Sequence, residues 1–190
     1  MRRLLVPLFL LPTVLTACSG LSGTNKGGYI TGNGAITTWT ADKRGEPVEI
    51  SGTTLDGTSY DVADDRGKSV VINVWWSGCG YCVSEMPLLE QAHQSLADKA
   101  DFLGINTRDS SVANGLAFER SAGATYPSLY APDGKVLLAL KGLPRSMPAT
   151  VVLDPEGRIA ATVSGEITGQ YTVKSLVECA DGSGPCEIDS

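Results

Sequence analysis

Histidine is nearly missing from this 190-residue chain: His93 is the only one. A zinc site built on Cys79 and Cys82 would therefore have to recruit Cys179 and Cys186, about 100 residues away, and a copper site would lack a histidine presented from a separate loop. His93 itself falls in helix-like sequence and is read as a helix-surface or core residue without a chemical role. Basic residues are also scarce, 15 Lys and Arg against 21 Asp and Glu, a formal charge of −6. Such a surface repels phosphate backbones, which argues against nucleic acid as a partner. No repeat of 20 to 50 residues is present, and no apolar run reaches the length of a membrane-spanning helix. The length and the 42% hydrophobic composition fit one folded domain with tails.

What is present begins with Arg2 and Arg3, the apolar run "LLVPLFLLPTVL" and then "LTAC", the layout of an export signal covering residues 1–17. "LTAC" resembles the bacterial lipobox, whose cysteine is acylated after cleavage, and this makes Cys18 the expected lipidation site. Loss of residues 1–17 removes two arginines and no acid, leaving 13 basic residues against 21 acidic ones, a formal charge of −8. Residues 18–45 then read as a lipidated cysteine and a flexible tether, because "SGLSGTNKGGYITGNGAITT" is rich in Gly, Ser, Thr and Asn. Such an anchor would hold the protein on the extracytoplasmic face of the cell membrane.

Residues 46–178 carry the folded pattern. The segment from Pro47 to Trp76 alternates short β-prone runs with turn signals at Asp56-Gly57 and Arg66-Gly67, a hairpin leading into a longer strand. "SVVINVW", Ser69 to Trp75, is apolar without alternation, as in a strand covered on both faces. Leu88, Leu89, Ala92 and Leu96 mark a helix from near Cys79 to about Leu96, interrupted or kinked at Pro87, and "DFLGINT" is a second buried strand. Strand, helix and strand make a parallel βαβ unit. Further on, "SVANGLAFERSAG" and "KVLLALKG" read as helices ended by Gly123 and Gly142, "ATVVLDPEGRIAATVSG" as an antiparallel hairpin, and Tyr171 to Cys179 as a closing helix.

Two cysteines at the start of a helix and three positions apart bring both sulfurs to one turn, close enough for a disulfide. The unpaired N–H groups and partial positive charge of a helix N-terminus stabilise a thiolate at Cys79, while Cys82 lies one turn deeper. Cys79 is thus the expected attacking sulfur and Cys82 the resolving one. Setting Cys18 aside leaves four cysteines, an even number in an exported chain, where disulfides persist. Cys179 and Cys186 bracket six residues in the tail, 179–190, and are read as a structural disulfide, with two free thiols as the alternative.

The C-x-x-C at the head of a βαβ helix resembles the thioredoxin-like arrangement. Three blocks, the stretch from Leu55 to Glu90, "TYPSLYAPDGKV" and "SMPATVVLDPEGRI", occur in the order found in the TlpA/ResA-like family of membrane-anchored extracytoplasmic thiol-disulfide oxidoreductases. The resemblance implies a thioredoxin-like α/β fold, a central mixed sheet flanked by helices with an N-terminal β-hairpin extension. It also implies dithiol/disulfide exchange without an organic cofactor or metal. On these residues it makes Cys79 the exposed nucleophile, Cys82 its buried partner, Glu85 a proton acceptor for Cys82, and Pro148 a cis-proline whose neighbour Met147 pairs with substrate beside Trp76 and Tyr81. Asn73 stands where thioredoxins proper carry an ionisable aspartate. Gly78 stands where a tryptophan is common, and Gly80-Tyr81 fills the dipeptide between the cysteines.

The expected partners are thiols and disulfides of exported proteins, a membrane electron donor or acceptor, and the membrane itself through lipid, with the protein acting as a monomer. The direction of exchange stays open at this point, reduction as in cytochrome c biogenesis by ResA-like proteins being one reading. Oxidation or isomerisation of exported disulfides, or a redox-inert polypeptide-binding module, are the alternatives. A peroxidase would need a "T-x-x-C" with a supporting arginine, and Trp76 occupies that place.

Overall fold

The structure, a computed structural model, describes residues 28–31, 34–143 and 146–186. The expected export signal, Cys18 and the first part of the tether lie outside the described residues. Strand β1 (Gly28–Thr31) turns back into β2 (Gly34–Thr38), and β3 (Ser51–Thr53) pairs with β4 (Ser59–Asp61) in a separate two-stranded sheet. After β5 (Ser69–Trp75) come α1 (Gly80–Ser95), β6 (Ala100–Asn106), α2 (Val112–Ala122), β7 (Ser128–Tyr130), β8 (Ala149–Leu153), β9 (Ile159–Ser164) and α3 (Gln170–Asp181). The main sheet has the order β1-β2-β9-β8-β5-β6-β7, with β5 parallel to β6 and antiparallel to β8.

Every residue of β5 is buried, as its uninterrupted apolar run requires of a central strand. The two-residue period sends Val71 and Trp75 into one core with Met86 and Leu89 of α1 and Val173, Leu176 and Val177 of α3. Ile72 and Val74 enter a second core with Leu103, Ile105 and Val151 on the opposite face. Asn73 shares the period of Val71 and Trp75, so its amide is aimed at α1. Ser111 caps α2 by accepting from Asn114 N–H, and Gly123 ends it in the left-handed region at φ 74°.

Two readings need correction. The tether expected over residues 18–45 gives way to strand from Gly28, because β2 adds antiparallel to the edge of β9 and β1 adds to β2. Its Gly, Ser and Thr content suits a coil in isolation, but the free edge of β9 supplies a ladder that no local property announces. The missed strand β7 is three residues long, too short for a period, and is held by β6 in parallel register.

The tail is fastened at the same edge. Cys179 of α3 is bonded to Cys186, whose carbonyl accepts from Thr38 Oγ1 at 2.7 Å. Beneath this loop the buried Arg44 donates to the carbonyls of Cys179 and Ala180, both at 2.8 Å, closing the last turn of α3. Its charge meets Asp154 at 3.1 Å, and Arg158 Nε reaches the same buried carboxylate at 2.8 Å.

Candidate active site

Cys79 and Cys82 lie just beyond the C-terminal end of β5, at the head of α1. They are bonded to each other, with Cα atoms 5.2 Å apart. Cys79 is the N-cap of the helix, and its Sγ accepts the Cys82 N–H at 3.1 Å. In the reduced protein the same N–H would face the thiolate, which is the physical basis for a lowered pKa at the first cysteine. Both cysteines are buried, Cys79 being 7% exposed and Cys82 fully enclosed. Cys79 is more covered than an exposed nucleophile was expected to be, because Trp76 and Met147 pack against the core that contains it.

Trp76 accounts for Gly78. A Cβ at position 78 would overlap the Trp76 indole, so the ring occupies the place a side chain at 78 would need. An aromatic ring therefore stands at position 78 after all, supplied from two positions upstream. Tyr81 is 67% exposed, and Val83 is exposed with it on the first turn of α1.

Glu85 is fully buried one turn after Cys82. Its Oε1 accepts from Asn73 Nδ2 at 2.7 Å and its Oε2 from Ile167 N–H at 3.0 Å. Burial drives its pKa from the usual carboxyl range up to about 7, against the pull of these two hydrogen bonds and with a small push from Glu166. Asn73 therefore takes part in the site as a donor to the carboxyl, a role invisible in its inability to ionise. Asn73 Nδ2 also lies 3.3 Å from Thr150 Oγ1, while its Oδ1 has no partner. The Met147–Pro148 bond is cis, at the entry of β8 and on the strand adjoining β5. His93 sits among Phe102 and Tyr126, with ring centroids 5.3 and 5.6 Å away, as a packing residue.

The Redoxin family model matches residues 40–178. The chain belongs to the Redoxin family. It is 27% identical to the thiol-disulfide oxidoreductase ResA of Bacillus subtilis over 132 residues, 68% of this chain and 72% of that one. It is 30% identical to the thioredoxin-like protein YneN of the same organism over 125 residues, 65% of this chain and 72% of the relative. Among solved structures, a DsbF homologue from Corynebacterium diphtheriae superposes with a TM-score of 0.71 at 35% identity, covering 79% of this chain and 96% of its own. A secreted thiol-disulfide isomerase from Corynebacterium glutamicum gives 0.72 at 29% identity, with coverages of 82% and 99%. The fold is thioredoxin-like, and this Redoxin protein is a thiol-disulfide oxidoreductase whose C-x-x-C is Cys79–Cys82. Among the described residues no helix is long and apolar enough to cross a membrane.

Proposed function

We propose that the protein reduces disulfides of exported polypeptides, apocytochrome c among them, while anchored through Cys18 outside the cytoplasmic membrane as a monomer. The observation that carries the reading is the disulfide at the head of α1 with a buried carboxyl, Glu85, one turn behind it.

The Cys79 thiolate attacks one sulfur of a substrate disulfide. A mixed disulfide forms, and the other substrate sulfur leaves as a thiolate that takes a proton from water. Cys82 then loses its proton to Glu85 and attacks Cys79 Sγ, releasing the second substrate thiol and leaving Cys79–Cys82 oxidised. Two electrons have passed to the substrate, and a dithiol donor at the membrane restores the pair by the same exchange in reverse. A proton acceptor with a pKa near 7 is matched to this step, since it is half-charged at the working pH. Met147 and the cis-Pro148, at the entry of β8, offer backbone groups to an extended substrate segment, with Trp76 and the exposed Tyr81 as its further contacts.

The charge behind Cys82 supports the reductive direction. A carboxylate behind Cys82 disfavours thiolates at the pair and so favours the disulfide, which is the property of a reductant. The similarity to a secreted isomerase and to a DsbF homologue favours the second reading, oxidation or isomerisation of exported disulfides. Equilibration of the Cys79–Cys82 pair with defined glutathione or dithiothreitol buffers separates the two. A potential below about −230 mV supports the reductant, and one above about −180 mV the oxidant or isomerase. Full activity in a Cys79→Ser variant would leave only a polypeptide-binding role.

A further inference from the structure

We infer that Asp109, on the loop after β6, is a positioning residue that holds Cys79 at the head of α1 through Ser77. The inference rests on Cys79 being the attacking sulfur.

Asp109 is an acidic residue only 4% exposed that takes no part in the exchange steps above. Its Oδ2 accepts from Ser77 N–H at 3.0 Å and from Asn106 Nδ2 at 2.6 Å, and its Oδ1 accepts from Ser77 Oγ at 2.5 Å. Ser77 is gripped at both its backbone and its hydroxyl, so neither its position nor its rotation is free. The Cys79 N–H, two residues on, donates to Trp76 O at 3.1 Å, which makes a tight turn of the segment between the clamp and the sulfur. The loop carrying Asp109 is itself fixed from two sides. Tyr130 of β7 donates from its hydroxyl to the Asp109 carbonyl at 3.2 Å, and Thr107 N–H pairs with Trp75 O at 2.9 Å. Arg108, immediately before it, is held in the left-handed region at φ 62°. A non-glycine residue kept there by its surroundings marks a loop whose shape serves a purpose.

The consequence concerns the thiolate. A thiolate at Cys79 is stabilised only while its sulfur faces the free N–H groups of the first turn of α1, and that alignment falls away within one turn. Among the described residues no strand pairs with the segment from Trp76 to Gly78, which lies beyond the end of β5. The Asp109 carboxyl replaces the missing ladder.

The test uses selectively reduced protein, with alkylation of Cys79 followed against pH and the dithiothreitol equilibrium measured beside it. Ser77→Ala should raise the apparent pKa of Cys79 and slow alkylation at neutral pH about three- to fivefold. Ser77→Thr, which keeps the hydroxyl, should restore both. In an Asp109→Asn background, where an amide must oppose one of three donors, Ser77→Ala should have no further effect. Melting temperatures recorded for all variants separate the proposal from plain stabilisation. The proposal is overturned if Ser77→Ala lowers the melting temperature while alkylation and redox equilibrium stay at wild-type values, or if its effect is undiminished in the Asp109→Asn background. A wild-type protein with no redox transition would instead remove the assignment of Cys79 on which the proposal depends.

Discussion

Replacing Glu85 by glutamine should make the protein more stable above neutral pH and leave it nearly unchanged in acid. The carboxyl holds its proton to about pH 7 in the fold, against an ordinary value of 4.5, so the folded chain binds that proton more tightly than the unfolded one. The contribution is full below pH 4.5, shrinks as the pH rises and is lost above about 7. A difference of roughly 2.5 units corresponds to about 3 kcal/mol at 1.36 kcal/mol per unit. The site can accept the amide. Ile167 N–H retains a carbonyl oxygen to donate to, and a flip of Asn73 turns its unpartnered Oδ1 toward the new NH2 group. Urea unfolding of oxidised wild-type and Glu85→Gln protein from pH 4.5 to 8.5 measures the effect. The difference between the two proteins is the relevant quantity, because it cancels other carboxyls such as Asp65 and Glu119, whose pKa values are also raised by burial. It should grow by about 3 kcal/mol across the range. A constant difference would show that Glu85 titrates as an ordinary carboxyl and would remove it as the proton acceptor.

The same Glu85→Gln change should slow resolution of a mixed disulfide by Cys82 about 10²-fold at neutral pH, read by quenched-flow trapping. Converting Cys179 and Cys186 together to serine opens a loop of sequence separation 7 and should cost about 2.5 kcal/mol in urea unfolding, with the Cys79–Cys82 potential unmoved. Gly78→Ala should displace the Trp76 indole, shifting the tryptophan emission and costing about 1–3 kcal/mol. Arg44→Ala removes one of two partners of Asp154 and strips the last turn of α3, for a loss of about 3 kcal/mol by thermal unfolding.

The parts of this molecule that were legible in the sequence are those whose cause is local. The unbroken apolar run of β5, the cysteine spacing, Gly123 as a helix stop and the "DPEG" turn each carry their structure within a few residues. Glu85 came from the family resemblance, and a helix places it one turn from Cys82 whatever else the chain does. Strands β1 and β2 were not legible, since their composition reads as coil and only the distant edge of β9 makes them strands. Nor was Asp109, which meets Ser77 across 32 positions and sits in a segment without periodicity. The position of Trp76 over Gly78 was also hidden, because the two residues read separately as one bulky and one missing side chain.

The course of the N-terminal hairpin has a further effect. Pairing from β5 through β8, β9 and β2 to β1 is antiparallel at every step, so β1 runs in the same direction as β5, with Gly28 level with Ile72. β1 thus runs from the level of mid-β5 toward the end of the sheet that carries the disulfide, four strand spacings, about 19 Å, to its side. A pull on the chain at Gly28 directed away from the disulfide end would load β1 in line with its strand direction. From Gly28 onward the strand ladder through β2 to β9 ties the direction of the chain to the direction in which the site faces.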